Sequence, residues 1–167
     1  MNFFRGKEKT KEILVEQTVL EKYNQYYRLA YSYVHNEADA GDIVQNAAYK
    51  ALRNSEQLKN AEYVETWLYR IVLNETFRML KQPKTFSYEE AVEKSGNETE
   101  GREDVHENVD LRRALDSLPD KDKLVIELRY FEDKKLEEIS AVLEENVNTV
   151  KSRLYRSIKK LRGLLEE

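Results

Sequence analysis

Between Val147 and Leu165 the residues Val147, Val150, Leu154, Ile158, Leu161 and Leu165 follow one another at intervals of three or four. At about 100° per residue they form one stripe, so this stretch is committed to an amphipathic helix and cannot serve as an alternating strand. Asn148, Ser152, Tyr155, Arg156 and Lys159 fall on the opposite side. Every charged residue from Val147 to Arg162 is a cation: Lys151, Arg153, Arg156, Lys159, Lys160 and Arg162. A wholly cationic helix in a chain of net charge −4 fits a polyanionic partner. The plainer alternative is a basic surface helix with no special purpose.

Just upstream, Leu136, Ile139, Val142 and Leu143 make a shorter amphipathic helix, and Asn146 is placed to cap the longer one. Two helices joined by so short a turn read as a helix-turn-helix, whose second helix enters the DNA major groove by its N-terminal half.

The rest of the chain supports an all-α protein of two small domains. Its 167 residues include no cysteine, which removes disulfides, thiolate zinc sites and cysteine nucleophiles. No apolar run approaches the roughly 20 residues that span a bilayer. The opening MNFFRGKEKTKEIL turns to charges where a signal peptide needs an apolar core, so a cytoplasmic location is expected. Gln82 to Asn108 carries eight acids against three bases, a net −5 that leaves the remainder at about +1. With Pro83, Gly96, Gly101 and few large apolar residues, this segment reads as an acidic, mostly unstructured linker.

The periodicity predicts a tail or first helix start over 1–17, a helical domain over 18–82, the linker over 83–108 and a second helical domain over 109–167. In the first domain, Leu20, Tyr23, Tyr27, Ala30 and Val34 are expected to form a buried face. Asn36 and Asp39 suit the start of a second helix with the stripe Ala40, Ile43, Val44, Ala47 and Ala51. After a polar run from Asn54 to Asn60, a third stripe holds Val64, Trp67, Leu68, Ile71 and Val72, which assigns Trp67 to the core. That helix is expected to end before Gln82-Pro83. The second domain opens with Leu111, Ala114, Leu115 and Leu118, breaks at Pro119, and continues through Leu124, Val125, Leu128 and Phe131.

Three strings, DAGDIVQNAAYKAL, ETWLYRIVLNETFRMLK and the C-terminal run from LPDKDKLVIELRYF to TVKSRLYRSIKKLRGLL, together resemble the extracytoplasmic-function sigma factors of bacterial RNA polymerase. The resemblance implies an alternative sigma factor that binds core RNA polymerase and directs initiation at promoters with a minus-35 and a minus-10 element. It implies core-polymerase contacts at Asp39, Asp42, Ile43 and Gln45. Two carboxylates one turn apart beside an exposed aliphatic residue suit a basic partner helix, although Asp39 and Asp42 also compensate the helix N-terminus.

Capture of the separated minus-10 strand is implied for Asn54, Ser55, Gln57, Lys59, Tyr63, Arg70, Asn74, Arg78 and Lys81, which offer cations for phosphates and polar or aromatic groups for unstacked bases. Duplex reading at minus-35 falls to Asn148, Thr149, Ser152, Arg153 and Arg156, with Lys151, Lys159 and Lys160 as phosphate contacts. The family also implies an anti-sigma factor partner, often membrane-bound. Frequent family residues are replaced at Ser140, usually alanine, and in the turn, where Glu144-Glu145 stands in place of a glycine.

No catalytic residue, metal site or cofactor is expected. The one metal-like spacing, Glu103 to His106, is a single copy in the linker. Two other readings are a stand-alone helix-turn-helix transcriptional regulator and a helical adaptor. The first would need a dimer interface or sensor domain in place of the strings in the N-terminal half.

Overall fold

The computed structural model describes residues 2–82 and 103–166, with side chains placed over 10–82 and 109–166. Among these residues all regular structure is helical: α1 (Asn2–Val34), α2 (Glu37–Arg53), α3 (Val64–Lys81), α4 (Glu103–Asp116), α5 (Asp120–Ile126), α6 (Leu136–Leu143) and α7 (Val147–Glu166). The expected all-α class is what the chain adopts. Segment 83–102, most of the expected linker, lies outside the described residues. Its last part, 103–108, is helical and begins α4.

Contacts divide the chain into one unit of Met1–Gln82 with Lys134–Glu145 and another of Pro83–Asp133 with Asn146–Glu167. The sequence placed all of 109–167 in one domain, whereas α6 groups with the first unit. There Arg70 of α3 donates from Nε to the Ala141 carbonyl of α6 at 3.1 Å.

The first unit is built on α1, α2 and α3. In α2 the expected stripe Ala40, Ile43, Val44, Ala47 and Ala51 is buried throughout. Asn36 caps the helix, its Oδ1 accepting the Asp39 N–H at 2.9 Å. α3 buries Val64, Leu68 and Val72, and ends at extended Gln82, ahead of Pro83.

α1 departs from expectation in part: Ala30 and Val34 are buried as expected, whereas Leu20 and Tyr23 are not. It carries two apolar stripes, and the one facing α2 and α3 is Val15, Tyr26, Leu29, Ala30, Tyr33 and Val34. Leu20 and Tyr23 lie on the other stripe and are 72 % and 36 % exposed. Tyr23, Tyr27 and Tyr31 instead stack on one another along the helix, with ring centroids 6.3 and 6.2 Å apart. Inside, the Tyr26 ring meets Tyr69 edge-on at 5.0 Å, and Tyr33 meets Phe77 the same way at 5.4 Å. These pairs lock α1 onto α3.

The second unit packs α4, α5 and α7. Pro119 precedes α5, and Ala114, Leu115, Leu118, Leu124, Val125, Leu128, Val150 and Leu154 are its core. A π-helical turn, Glu127–Phe131, extends α5 and shifts the phase of the stripe, so Phe131 is exposed rather than buried.

Candidate nucleic-acid interface

α6 ends at Glu144, which takes the left-handed conformation (φ 56°, ψ 38°) that glycine ordinarily fills at a helix end. Ser140 donates its hydroxyl to the Glu145 carbonyl, so this departure from the family residue helps close the turn. Asn146 Oδ1 then accepts the Asn148 N–H at 2.8 Å, the expected cap at the start of α7.

Along α7 the predicted faces separate in its first half, whereas Leu165, the last member of the expected stripe, is 47 % exposed. Val150 and Leu154 are buried, while Asn148, Thr149, Lys151, Ser152, Tyr155, Arg156, Lys159 and Lys160 are exposed. Tyr155, 67 % exposed amid these cations, was not among the predicted contact residues. Arg153 differs from its neighbours: its side chain is only 22 % exposed, and its Nη1 donates to Asp122 Oδ1 at 3.0 Å. Arg156 reaches the same carboxylate from Nη2, at 3.0 Å to Oδ1 and 3.2 Å to Oδ2. Asp122, on α5, is buried. It could not be found from the sequence, because 31 and 34 residues separate it from the two arginines.

In the first unit, the run after α2 forms two 3-10 turns, Ser55–Gln57 and Ala61–Tyr63. An open cleft of about 460 Å³ beside them is lined by Gln57, Lys59, Asn60, Tyr63, Trp67 and Arg70 among others. Four predicted strand-capture residues, Gln57, Lys59, Tyr63 and Arg70, thus converge. Trp67, expected in the core, is half-buried and forms part of the cleft wall. A wall combining indole, phenol and cations suits an unstacked base and its phosphate.

Other predicted contacts fare differently. Ser55 is buried, because Leu58 folds into the core and draws the turn with it; it is not a surface group. Asn54 is turned back to the Lys50 carbonyl at 2.9 Å. Arg70 is tied to Ala141 and lies 3.4 Å from Glu144. Asn74 and Lys81 are exposed. Arg78 is exposed but donates from Nε and Nη2 to Glu75 at 3.2 and 2.8 Å. Burial pushes the Glu75 carboxyl up, yet hydrogen bonds from Lys50 and Arg78 outweigh it and hold the group below its ordinary value.

On α2, Asp42 and Gln45 are exposed and Asp39 is half-buried. Ile43 is fully buried, which corrects its expected place as an exposed aliphatic contact. The period explains this: Ile43 shares the stripe with Ala40, Val44 and Ala47. Among the described residues no cluster of side chains could hold a metal ion, and no helix is long and apolar enough to cross a membrane.

The family Sigma-70 region 2 matches residues 19–85, and Sigma-70, region 4 matches residues 108–161. RNA polymerase sigma factor SigV of Bacillus subtilis is 41 % identical over 160 residues, covering 95 % of this chain and 94 % of the relative. ECF RNA polymerase sigma factor SigW of the same species is 32 % identical, covering 84 % and 83 %. Among solved structures, CnrH in complex with the cytosolic domain of CnrY superposes with a TM-score of 0.70 at 22 % identity, covering 93 % of this chain and 97 % of that one. The sigma factor RpoE in complex with the anti-sigma factor NepR, from Bartonella quintana, gives 0.67 at 20 % identity, covering 90 % and 96 %. This chain belongs to the extracytoplasmic-function sigma factors, the non-catalytic subunits that direct bacterial RNA polymerase to specific promoters.

Proposed function

We propose that this sigma factor divides promoter recognition among three surfaces. Asp39, Asp42 and Gln45 of α2 meet a basic helical element of core RNA polymerase, with Ile43 anchoring that helix from within. Gln57, Lys59, Tyr63, Trp67 and Arg70 take up the separated minus-10 strand, helped by Asn74, Arg78 and Lys81. The N-terminal half of α7 enters the major groove at minus-35, where Asn148, Thr149 and Ser152 face base edges and Lys151, Lys159 and Lys160 meet phosphates.

The observation that carries this reading is the cleft of the first unit, where Tyr63 and Trp67 stand beside Lys59 and Arg70. A stand-alone regulator that binds only duplex DNA has no use for such a cleft. Location in the cytoplasm follows from work on chromosomal promoters. An anti-sigma factor completes the partners, a reading supported by solved neighbours held with the cytosolic domain of CnrY and with NepR.

The test is to mix the purified chain with sigma-free core polymerase and follow co-elution by size-exclusion chromatography. Stoichiometric co-elution that Asp42→Arg abolishes supports the assignment of α2. Failure of the unmodified chain to associate overturns it and favours a stand-alone regulator.

A further inference from the structure

We infer that α6 is an autoinhibitory latch: seated on α3, it engages Arg70 and walls the strand-capture cleft, so the free chain resists single-stranded DNA until α6 is drawn away. The inference rests on the proposed assignment of that cleft to the minus-10 strand.

α6 falls inside the region 4 match and α3 inside the region 2 match, yet both belong to the first unit. Arg70 is central to their contact. Its Nε donates to the Ala141 carbonyl at 3.1 Å, its Nη2 donates to the same oxygen, and its Nη1 lies 3.4 Å from Glu144 Oε1. Some of its N–H groups stay open, but a phosphate reaching them must approach Glu144, a like charge. Ala141 itself lines the cleft with Gln57, Lys59, Tyr63 and Trp67.

A second contact lies just ahead of α6. Lys134 Nζ stands 3.4 Å from Glu65 Oε2 of α3 and 5.6 Å from the centre of the Tyr69 ring. Its side chain is only 14 % exposed, so this pair is less screened than an ordinary surface ion pair. Lys134–Glu145 carries two lysines and four glutamates, a net −2, beside a cleft whose charged lining residues are Lys59 and Arg70. An acidic segment thus sits where a strand would bring its phosphates. The two compete, and apparent strand affinity falls with the fraction of chains in which α6 is released.

The experiment measures binding of the full chain, without polymerase, to a labelled single strand from the minus-10 region of a promoter it recognises. Lys134→Glu sets an acid against Glu65, and neither residue lines the cleft. The variant should bind the strand about three- to tenfold more tightly. Electrostatics alone would weaken it, since a cation becomes an acid. The chain has no cysteine, so Glu65→Cys with Lys134→Cys gives a single thiol pair that a short bis-methanethiosulfonate can bridge. Bridging should lower strand affinity by about tenfold or more, and reduction should restore it.

No bridging in the free chain would overturn the latch, as would bridged and reduced chains of equal strand affinity. Should Lys134→Glu fail to fold by circular dichroism, the bridged pair still decides. Trp67→Ala in the reduced chain separates the two failures: strand binding that it leaves unchanged would remove the cleft from strand capture, whereas binding that it weakens while bridging has no effect would sink the latch alone.

Discussion

Glu75 and Arg78, one turn apart on α3, are joined by two hydrogen bonds of 3.2 and 2.8 Å, and Lys50 of α2 donates to the same carboxylate. The Glu75 side chain is 4 % exposed, whereas both cations are about half exposed. One buried acid thus clamps two helices of the first unit and sets where Arg78 points.

Glu75→Ala should destabilise this unit by about 2 kcal/mol, less than a broken buried pair usually costs because its half-exposed partners can turn to water. The carboxyl is held below its ordinary value, so its contribution is present above the unfolded value of 4.5 and is lost as pH falls through the lower folded value. Thermal unfolding of parent and variant should therefore converge in acid and separate at neutral pH.

Much of the fold was legible because α2, α3 and α7 each carry a single apolar stripe, which leaves one way to bury it. α1 was misread because it has two, and periodicity cannot choose between Leu20-Tyr23-Tyr27 and Tyr26-Leu29-Tyr33; only packing against Tyr69 and Phe77 decides. Residue type likewise marked Asn148 and Lys151 as exposed. Ser55 was misplaced because a polar residue in a polar run looks exposed. Asp122 was missed because its partners lie a helix and a turn away in the chain.

Tyr26 is buried in this core with a hydroxyl that has no hydrogen-bond partner among the described residues. Phenylalanine would keep the edge-on contact with Tyr69 and remove the unmet hydroxyl. Tyr26→Phe should thus be neutral or stabilising by up to about 1 kcal/mol, although it is a core substitution. Tyr26→Ala, which removes the ring, should cost about 3–5 kcal/mol. Chemical denaturation of the two variants measures both.

Glu144 holds a left-handed backbone that a side chain disfavours. Its ion pair with Arg70 is long, at 3.4 Å, and its side chain is 71 % exposed, so the pair contributes little. Glu144→Gly should raise stability by about 0.5–1 kcal/mol, whereas Glu144→Ala, which keeps the strained Cβ, should not. A melting temperature that rises in both would assign the gain to the lost charge instead.

Glu127 opens the π-helical turn of the second unit and is buried. Burial is the main cause that pushes its carboxyl up to about 7; Glu132 and Asp116 add to the rise, and Lys123 opposes it. Lys123 is itself drawn 2.7 Å from Asp116, which draws its charge toward another acid. An acid with a folded value above its unfolded 4.5 binds its proton more tightly when folded, so folding loses stability as pH rises from about 4.5 to about 7. Above that window the penalty is constant, on the order of 3 kcal/mol at 1.36 kcal/mol per pKa unit. Glu127→Gln keeps the shape and cannot ionise. Its melting temperature should match the parent near pH 4.5 and exceed it at pH 8, and equal gains at both pH values would show that Glu127 does not titrate in this range.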